Sequence, residues 1–548
     1  MRTTINLSLV LLLVLISCSG QKSQADLILT NGLIYTVDNE FSIAEAIAIK
    51  DKRIIAVGST AEISKKYSAD EVRDLEGKYV YPGWIDAHCH FFGYGMNLNA
   101  VDVAGSSSVE EIIEELKAFQ EKNPGTWITG RGWDQNDWEV KEFPDKHMLD
   151  KHFPNTPILL RRIDGHAAWA NSRALEIAGV TATSKVDGGT VLLSQGEPTG
   201  ILVDNAIGLV SSKIPGPSKA EMILALQQAE QNCFSVGLTS VPVAGLSREV
   251  VQLIDSLQRA GALKIRMNTW LSPSRQNFTH FVENGPYQTD YLSVNTIKLF
   301  TDGALGSRGA RMIEAYSDDP GNLGLYVTPL ETLEKYCRKA YEHNFAVATH
   351  CIGDGANRET LRIYADILGG KNDRRWRIEH AQIIHPDDFH YFGDYNIIPS
   401  VQTTHATSDM YWAEDRVGSE RIKGAYAYRQ LLEENGWLPN GSDFPVEQIN
   451  PLFGFYAGVV RKDQAGYPEQ GYMPENAISR EDALRAMTIW AARSGFEEDL
   501  KGSIEPGKLA DLVITGTDLM SAAEQELFGI RVEATYSGGE LVYDASGR

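Results

Sequence analysis

The chain has 548 residues, with 73 acidic against 51 basic side chains and a formal charge of −22. That length exceeds what one hydrophobic core usually fills, so more than one folding unit is expected. The acidic excess favours solubility and argues against nucleic acid or any other polyanion as a partner.

The first segment stands apart from the fold. Arg2 precedes the apolar run LSLVLLLVLIS, too short to span a bilayer but of the right length for a signal-peptide core. Leu15-Ile16-Ser17-Cys18 resembles the lipobox of bacterial lipoproteins. It implies a signal peptide over residues 1–17, acylation of Cys18 and a polar tether over 18–24. The expected location is the cell envelope, lipid-anchored and facing the periplasm or exterior; a plain secretory signal or an uncleaved anchor is the alternative. The other cysteines, Cys89, Cys233, Cys337 and Cys351, form no C-x-x-C pair, so neither a disulfide framework nor a zinc ribbon is expected. Buried free thiols are the expectation.

From Ala25 the chain reads as short strands and tight turns, with Asn31-Gly32 and Asp51-Lys52 at turn positions. A matching set of strands near the C-terminus has Gly538-Gly539 between its last two members. The two sets are placed to pair as one sandwich. The middle alternates apolar strands with helical stretches, as parallel βα units do. Its candidate strands are YVYPGWIDAH, VGLTSVPV, KIRMNTWL, TIKLFTDG, FAVATHC, WRIEHAQ, NIIPSVQ and LPNGSDFP. Eight such units predict a closed barrel with its chemistry at the C-terminal strand ends. Residues of about 95–215 between the first two strands are too many for one crossover and read as an insertion over the barrel mouth. Within it, SVEEIIEELKAFQEKN has the pattern of an amphipathic helix.

Polar groups recur where the barrel mouth should be. His88 and His90 are two apart at a strand end, so both imidazoles would leave one face while Cys89 turns away. Lys298 lies in the fourth strand, His350 ends the fifth, His380 the sixth and Asp443 the eighth. Four histidines and one aspartate make a nitrogen and oxygen donor set suited to zinc and kindred divalent ions.

The segments PGWIDAHCH, KLFTDGALGSRGA, ATHCIGDGA, RIEHAQ, GSDFPVE and GSIEPGKLADLVI resemble the amidohydrolase superfamily, in particular its YtcJ-like branch, amidohydrolase family 3. The resemblance runs from about Ala25 to Asp544. It implies an α/β fold: a (β/α)8 TIM-type barrel over residues 81–495, with a small β-sandwich built from residues 25–80 and 496–548. By position it implies His88 and His90 on one metal, His350 and His380 on a second, and Asp443 as both ligand and general base. In many relatives a strand lysine is carboxylated to a bridging carbamate, which would explain Lys298 inside an apolar run. The alternative is a lysine that reaches solvent or pairs with Asp302. Two ions, zinc foremost, are expected if Lys298 is carboxylated, and one otherwise.

The implied activity is hydrolysis of a non-peptide C–N bond in a small amide, such as an N-substituted formamide, by metal-activated water. A mononuclear deaminase of a cyclic amidine is the alternative, although Ala-Gln-Ile after His380 lacks the acid such enzymes carry there. A non-catalytic binding lipoprotein would have lost a ligand, and none is missing. His166, His405 and Trp133 are candidates for substrate contact; Trp133, with Trp138 and Trp169, fits the insertion core equally well. The expected partners are a small-molecule amide and, through the lipid anchor alone, a membrane; monomer and homodimer both stay open.

Overall fold

The computed structural model describes residues 22–122 and 127–547, so the expected signal peptide and Cys18 lie outside the described residues. Seven parallel strands curl into one sheet, numbered here in chain order. They are β1 (Trp84–Ile85), β2 (Leu238–Leu246), β3 (Arg266–Leu271) and β4 (Leu292–Phe300). β5 (Ala346–Cys351), β6 (Arg377–His380) and β7 (Ile398–Ser400) follow. Their residues are buried almost throughout, as expected of parallel strands covered on both faces. Helices such as Lys219–Ser235, Arg248–Arg259 and Asp354–Leu368 lie between them. Ser218 and Glu221 form a capping box on the first, and Val250, Val251, Leu253 and Ile254 give the second its buried face.

The gap between β7 and β1 is closed by residues 438–444, which are not a regular strand. On one side the Val401 N–H donates to the Pro439 carbonyl (3.1 Å) and the Gly441 N–H to the Val401 carbonyl (2.9 Å). On the other, Ala87 donates to the Asn440 carbonyl (3.2 Å), Asp443 to that of His88 (2.7 Å) and His90 to that of Phe444 (2.8 Å). Pro439 has no N–H to give a ladder, and Asp443 has a φ of 58°, so the pairing is real but irregular. The chain thus forms a TIM-like barrel whose eighth stave is LPNGSDF.

YVYPGWIDAH is not one strand. Tyr79–Pro82 pairs with Leu512–Thr515 from the C-terminal segment, and the chain then crosses into the barrel as β1. Gly83 makes the crossing possible: a Cβ there would stand 2.3 Å from Thr239 Oγ1 and 2.9 Å from Asp511 Cβ. The terminal segments do share a sheet, in the order Glu540–Asp544, Val532–Ser537, Leu512–Thr515, Tyr79–Pro82, Leu33–Tyr35, Ile43–Ala44. A second sheet holds Arg53–Gly58, Ala46–Lys50, Ser23–Thr30 and Tyr67–Asp74. Leu29, Ile47 and Ile49 of this sheet and Val80, Leu512 and Ile514 of the other are buried in one apolar cluster. Asp51-Lys52 closes a hairpin, with Lys50 opposite Arg53. Asn31-Gly32 does not; it carries the chain from one sheet to the other.

The insertion is a separate six-stranded sheet between Val101 and Asp204, and its helix Val109–Lys122 buries Ile112, Ile113 and Leu116. Trp133 belongs to its core and not to a substrate pocket: it is fully buried beside Trp138 and Trp169, and its Nε1–H donates to the Leu160 carbonyl (2.9 Å). All four described cysteines are buried and unbonded. No helix among the described residues is long and apolar enough to cross a membrane.

Candidate metal centre

β1 ends in a turn that presents His88 and His90 at the C-terminal mouth of the barrel. Cys89 points the other way, its Sγ–H on the Pro242 carbonyl (2.9 Å). Asp86 fixes this turn to the eighth stave by accepting from the His88 N–H (2.9 Å) and the Ser442 Oγ–H (2.6 Å). The stave then delivers Asp443. Its Oδ1 lies 3.2 Å from His90 Nε2 and 3.5 Å from His88 Nε2, and its Oδ2 is 3.8 Å from His405 Nε2.

Two overlapping donor sets result, His88–His90–Asp443 and His380–His405–Asp443, each with its ligand atoms within 4.8 Å of one another. His350 stands beside His380, ring centroids 4.5 Å apart, with its Nε2–H on the Gly303 carbonyl (3.3 Å). His405, expected at the substrate, is therefore drawn into the ligand cluster. The residues fit a divalent cation on a second count. Asp443 Oδ1 and His380 Nδ1 are buried polar atoms with no hydrogen-bond partner among the described residues, an arrangement that costs free energy unless something binds them.

The histidine tautomers are set from behind. Glu379, fully buried in β6, accepts from His88 Nδ1–H, so the lone pair of His88 Nε2 faces the cluster. Arg377, two residues earlier on the same strand face, holds Glu379 through Nε (2.5 Å), and Ser400 Oγ–H donates to it at 2.8 Å. Burial disfavours the Glu379 charge, yet Arg377 and His88 hold its pKa at about 2. Burial lowers His88 to about 4 and His380 well below the ordinary histidine range, so both are neutral donors at pH 7. Burial works against charge on His405 too, but the carboxylates of Asp443 and Glu447 lift it to about 10; its Nδ1 lies 2.9 Å from Glu447 Oε1.

Lys298 is buried in β4 with its Nζ 3.2 Å from His88 Nε2, inside the cluster. It does not pair with Asp302, whose carboxylate accepts from the backbone N–H groups of Arg311, Ile352 and Gly353. Burial pushes the Lys298 ammonium down to about 8 despite the charges of Glu379 and Asp443.

A cavity of about 190 Å³ opens above these groups between the barrel loops and the insertion. His166 lines it from the insertion, its Nδ1 held by Asp204 Oδ1 at 2.6 Å. Burial opposes a charge on His166, but the Asp204 hydrogen bond prevails and raises its pKa. Asp204 fits only because Gly303 lacks a side chain: a Cβ there would meet its Oδ2 at 2.5 Å. Sequence reasoning missed Glu379, Asp86, Asp204 and Glu447. The available signal was charge at alternate positions of apolar strands, as in Arg377-Ile-Glu379.

Comparison with known proteins agrees with this architecture. A model described as the amidohydrolase family matches residues 71–543. Protein LONG AFTER FAR-RED 3 of Arabidopsis thaliana is 37% identical, covering 95% of this chain and 92% of its own. The putative amidohydrolase YtcJ of Bacillus subtilis is 31% identical over 94% of this chain and 99% of its own. The N-substituted formamide deformylase of Arthrobacter pascens is 26% identical over 95% and 99%. Among solved structures, an uncharacterized metal-dependent hydrolase from Pyrococcus horikoshii superposes with a TM-score of 0.74 at 29% identity, covering 91% of this chain and 99% of that one.

Proposed function

We propose, from the premise that this chain belongs to the amidohydrolase family, that it hydrolyses a C–N bond of a small non-peptide amide at a divalent metal centre. One observation carries the reading: His88, His90, His380, His405 and Asp443, from four separate segments, converge on one rim, where His380 Nδ1 and Asp443 Oδ1 have no hydrogen-bond partner among the described residues. The deformylase relative, whose name specifies N-substituted formamides, supports an N-formyl or N-acyl amine as the substrate class.

A bound divalent cation would lower the pKa of water toward about 7 and polarise the scissile carbonyl. His88, His90, His380 and Asp443 would hold it, with zinc suited to this nitrogen-rich set. Asp443 Oδ1 accepts the proton of the attacking water and returns it to the leaving nitrogen. Lys298 joins the ligand set once carbon dioxide has added to its neutral amine, which a pKa of about 8 makes available near neutrality. That carboxylation would supply the anionic oxygen a second divalent ion needs. His166, held by Asp204, contacts the substrate from the insertion. In this reading the two terminal sheets are the two halves of a β-sandwich, and Cys18 anchors the mature chain in the bacterial cell envelope, facing the periplasm or the exterior.

The test is metal analysis of protein purified without chelator, coupled to amine release from a panel of N-formyl and N-acyl amines. Expected are tightly held metal, loss of amine release on chelation and recovery with zinc or manganese. Folded protein that neither holds metal nor responds to it would refute the proposal.

A further inference from the structure

The charges on the cavity wall are unevenly matched. Arg162 is the one arginine among its lining residues, and it is already neutralised. Its Nη1–H donates to Asp164 (2.6 Å), its Nη2–H to Asp134 and its Nε–H to Gln135 (2.8 Å). Glu447 is likewise taken, by His405 and by Ser408 Oγ–H (2.6 Å). The charged imidazoles on the wall are taken as well, His166 by Asp204 and His405 by Glu447, so no side-chain cation among the described lining residues is left unpaired to receive an anionic substrate.

Two carboxylates on the wall keep an oxygen free of any hydrogen bond or ion pair among the described residues, although the His405 charge acts on Asp409 from a distance. Asp409 is held by one oxygen only: its Oδ2 accepts from Tyr426 O–H (2.8 Å) and from Gln382 Nε2–H (3.1 Å). These two neutral donors orient the carboxylate, and its Oδ1 accepts nothing from the described residues. Gln382 follows two residues after His380, so the metal rim and this carboxylate are set by one short segment. Asp137, exposed on the insertion side of the same cavity, makes no side-chain hydrogen bond or close ion pair among the described residues, with Arg162 and Lys141 acting on it only at longer range. The indole of Trp412 lines the wall as well, with the Arg416 guanidinium already 5.5 Å from its ring centre.

We infer that this hydrolase takes amides whose amine portion carries a second, cationic nitrogen, which Asp409 Oδ1 receives with help from Asp137. The inference rests on the amide-hydrolase reading and narrows it to N-acyl derivatives of diamines and similar basic amines. A protonated amine offers N–H donors to an oriented carboxylate, giving a charge-assisted hydrogen bond in a partly water-excluded cavity. A neutral amide of the same length leaves Asp409 unsatisfied, and a carboxylate-bearing one meets repulsion.

The experiment compares three formamides of matched length: N-formyl-1,4-diaminobutane (cationic), N-formylpentylamine (neutral) and N-formyl-4-aminobutanoate (anionic). Both kcat/KM and calorimetric Kd are measured on the metal-loaded protein. The cationic compound is expected to lead the neutral one by about 10-fold or more in both quantities, with the anionic one weakest. Asp409→Asn should bring the cationic-to-neutral ratio toward one, and Asp137→Asn, at an exposed position, should lower it by a smaller factor. Hydrolysis of all three with equal kcat/KM would overturn the inference and leave the amidohydrolase reading intact. Tighter binding of the cationic compound without turnover of any would sustain the inference and remove that reading. Equal or absent binding without turnover would overturn both.

Discussion

Glu379→Gln isolates the group that orients the centre without touching a bound cation. In the wild type the carboxylate accepts from Arg377 Nε–H on Oε1, and from His88 Nδ1–H and Ser400 Oγ–H on Oε2. An amide has one acceptor oxygen. Placed toward His88, it turns its NH₂ against the Arg377 Nε–H, where 2.5 Å now separates acceptor from donor; flipped, it confronts His88 instead. Either way a buried donor loses its partner and the Arg377 charge loses its counter-ion. Breaking such a buried pair costs about 3–5 kcal/mol of stability, while loss of a carboxylate behind a ligating histidine typically weakens metal binding about 10–100-fold. The assay is metal retention against graded chelator, with urea unfolding of the metal-free protein alongside. Unchanged metal affinity would refute the assignment of His88 as a ligand oriented by Glu379. Unchanged stability would refute the argument that Arg377 depends on this carboxylate.

Three further outcomes are expected. Asp443→Asn should abolish amine release while most of the metal remains bound by the histidines, and a fully active variant would remove the proton-transfer role. Lys298→Ala should lower metal content by about one equivalent, and wild-type protein should gain the mass of one carbon dioxide when refolded with bicarbonate; identical metal content would leave Lys298 outside the centre. Asp511 joins the C-terminal segment to β3 by accepting from Arg266 Nε (2.7 Å) and Nη2 (2.9 Å). Burial opposes its charge, but Arg266 and the Gly538 N–H hold its carboxyl below the ordinary range. A depressed folded pKa contributes stability above the unfolded value of about 3.9 and loses it as pH falls through the folded one. Asp511→Asn should therefore destabilise by about 3–5 kcal/mol from pH 7 to pH 5. The gap to wild type should narrow below about pH 4; a gap that widens on acidification would reverse the sign argued here.

The barrel was legible because parallel strands declare themselves as short apolar runs that end in a polar residue, and His88, His350 and His380 each end one. Asp443 was found by the same rule even though its segment makes an irregular stave, since Pro439 and Gly441 change the hydrogen-bond pattern without moving the residue from the rim. What was not legible depended on the break in alternation. His380 has a φ of 74°, so its side chain joins the centre although the adjacent Glu379 also faces inward. A strict two-residue period assigns neighbours to opposite faces and so hides Glu379. Trp133 illustrates the opposite limit. An aromatic beside charged residues in GRGWDQNDW reads equally as pocket or core, and only the insertion's own sheet, which seals it against Trp169, decides between them. His405 was legible as a candidate for substrate contact, but its distance from Asp443 depends on how two loops pack, which no local pattern encodes.

The pairing of Tyr79–Pro82 with Leu512–Thr515 has a bearing on biogenesis. Both edges of the early strand need partners, and one of them is encoded more than four hundred residues downstream. At ordinary elongation rates, roughly half a minute separates synthesis of the two. During that interval a nascent chain exposes an unsatisfied, apolar strand edge next to Gly83, the point at which the polypeptide enters the barrel. Chains cut short before Leu512 are therefore expected to aggregate, which a solubility comparison of truncated and full-length protein checks.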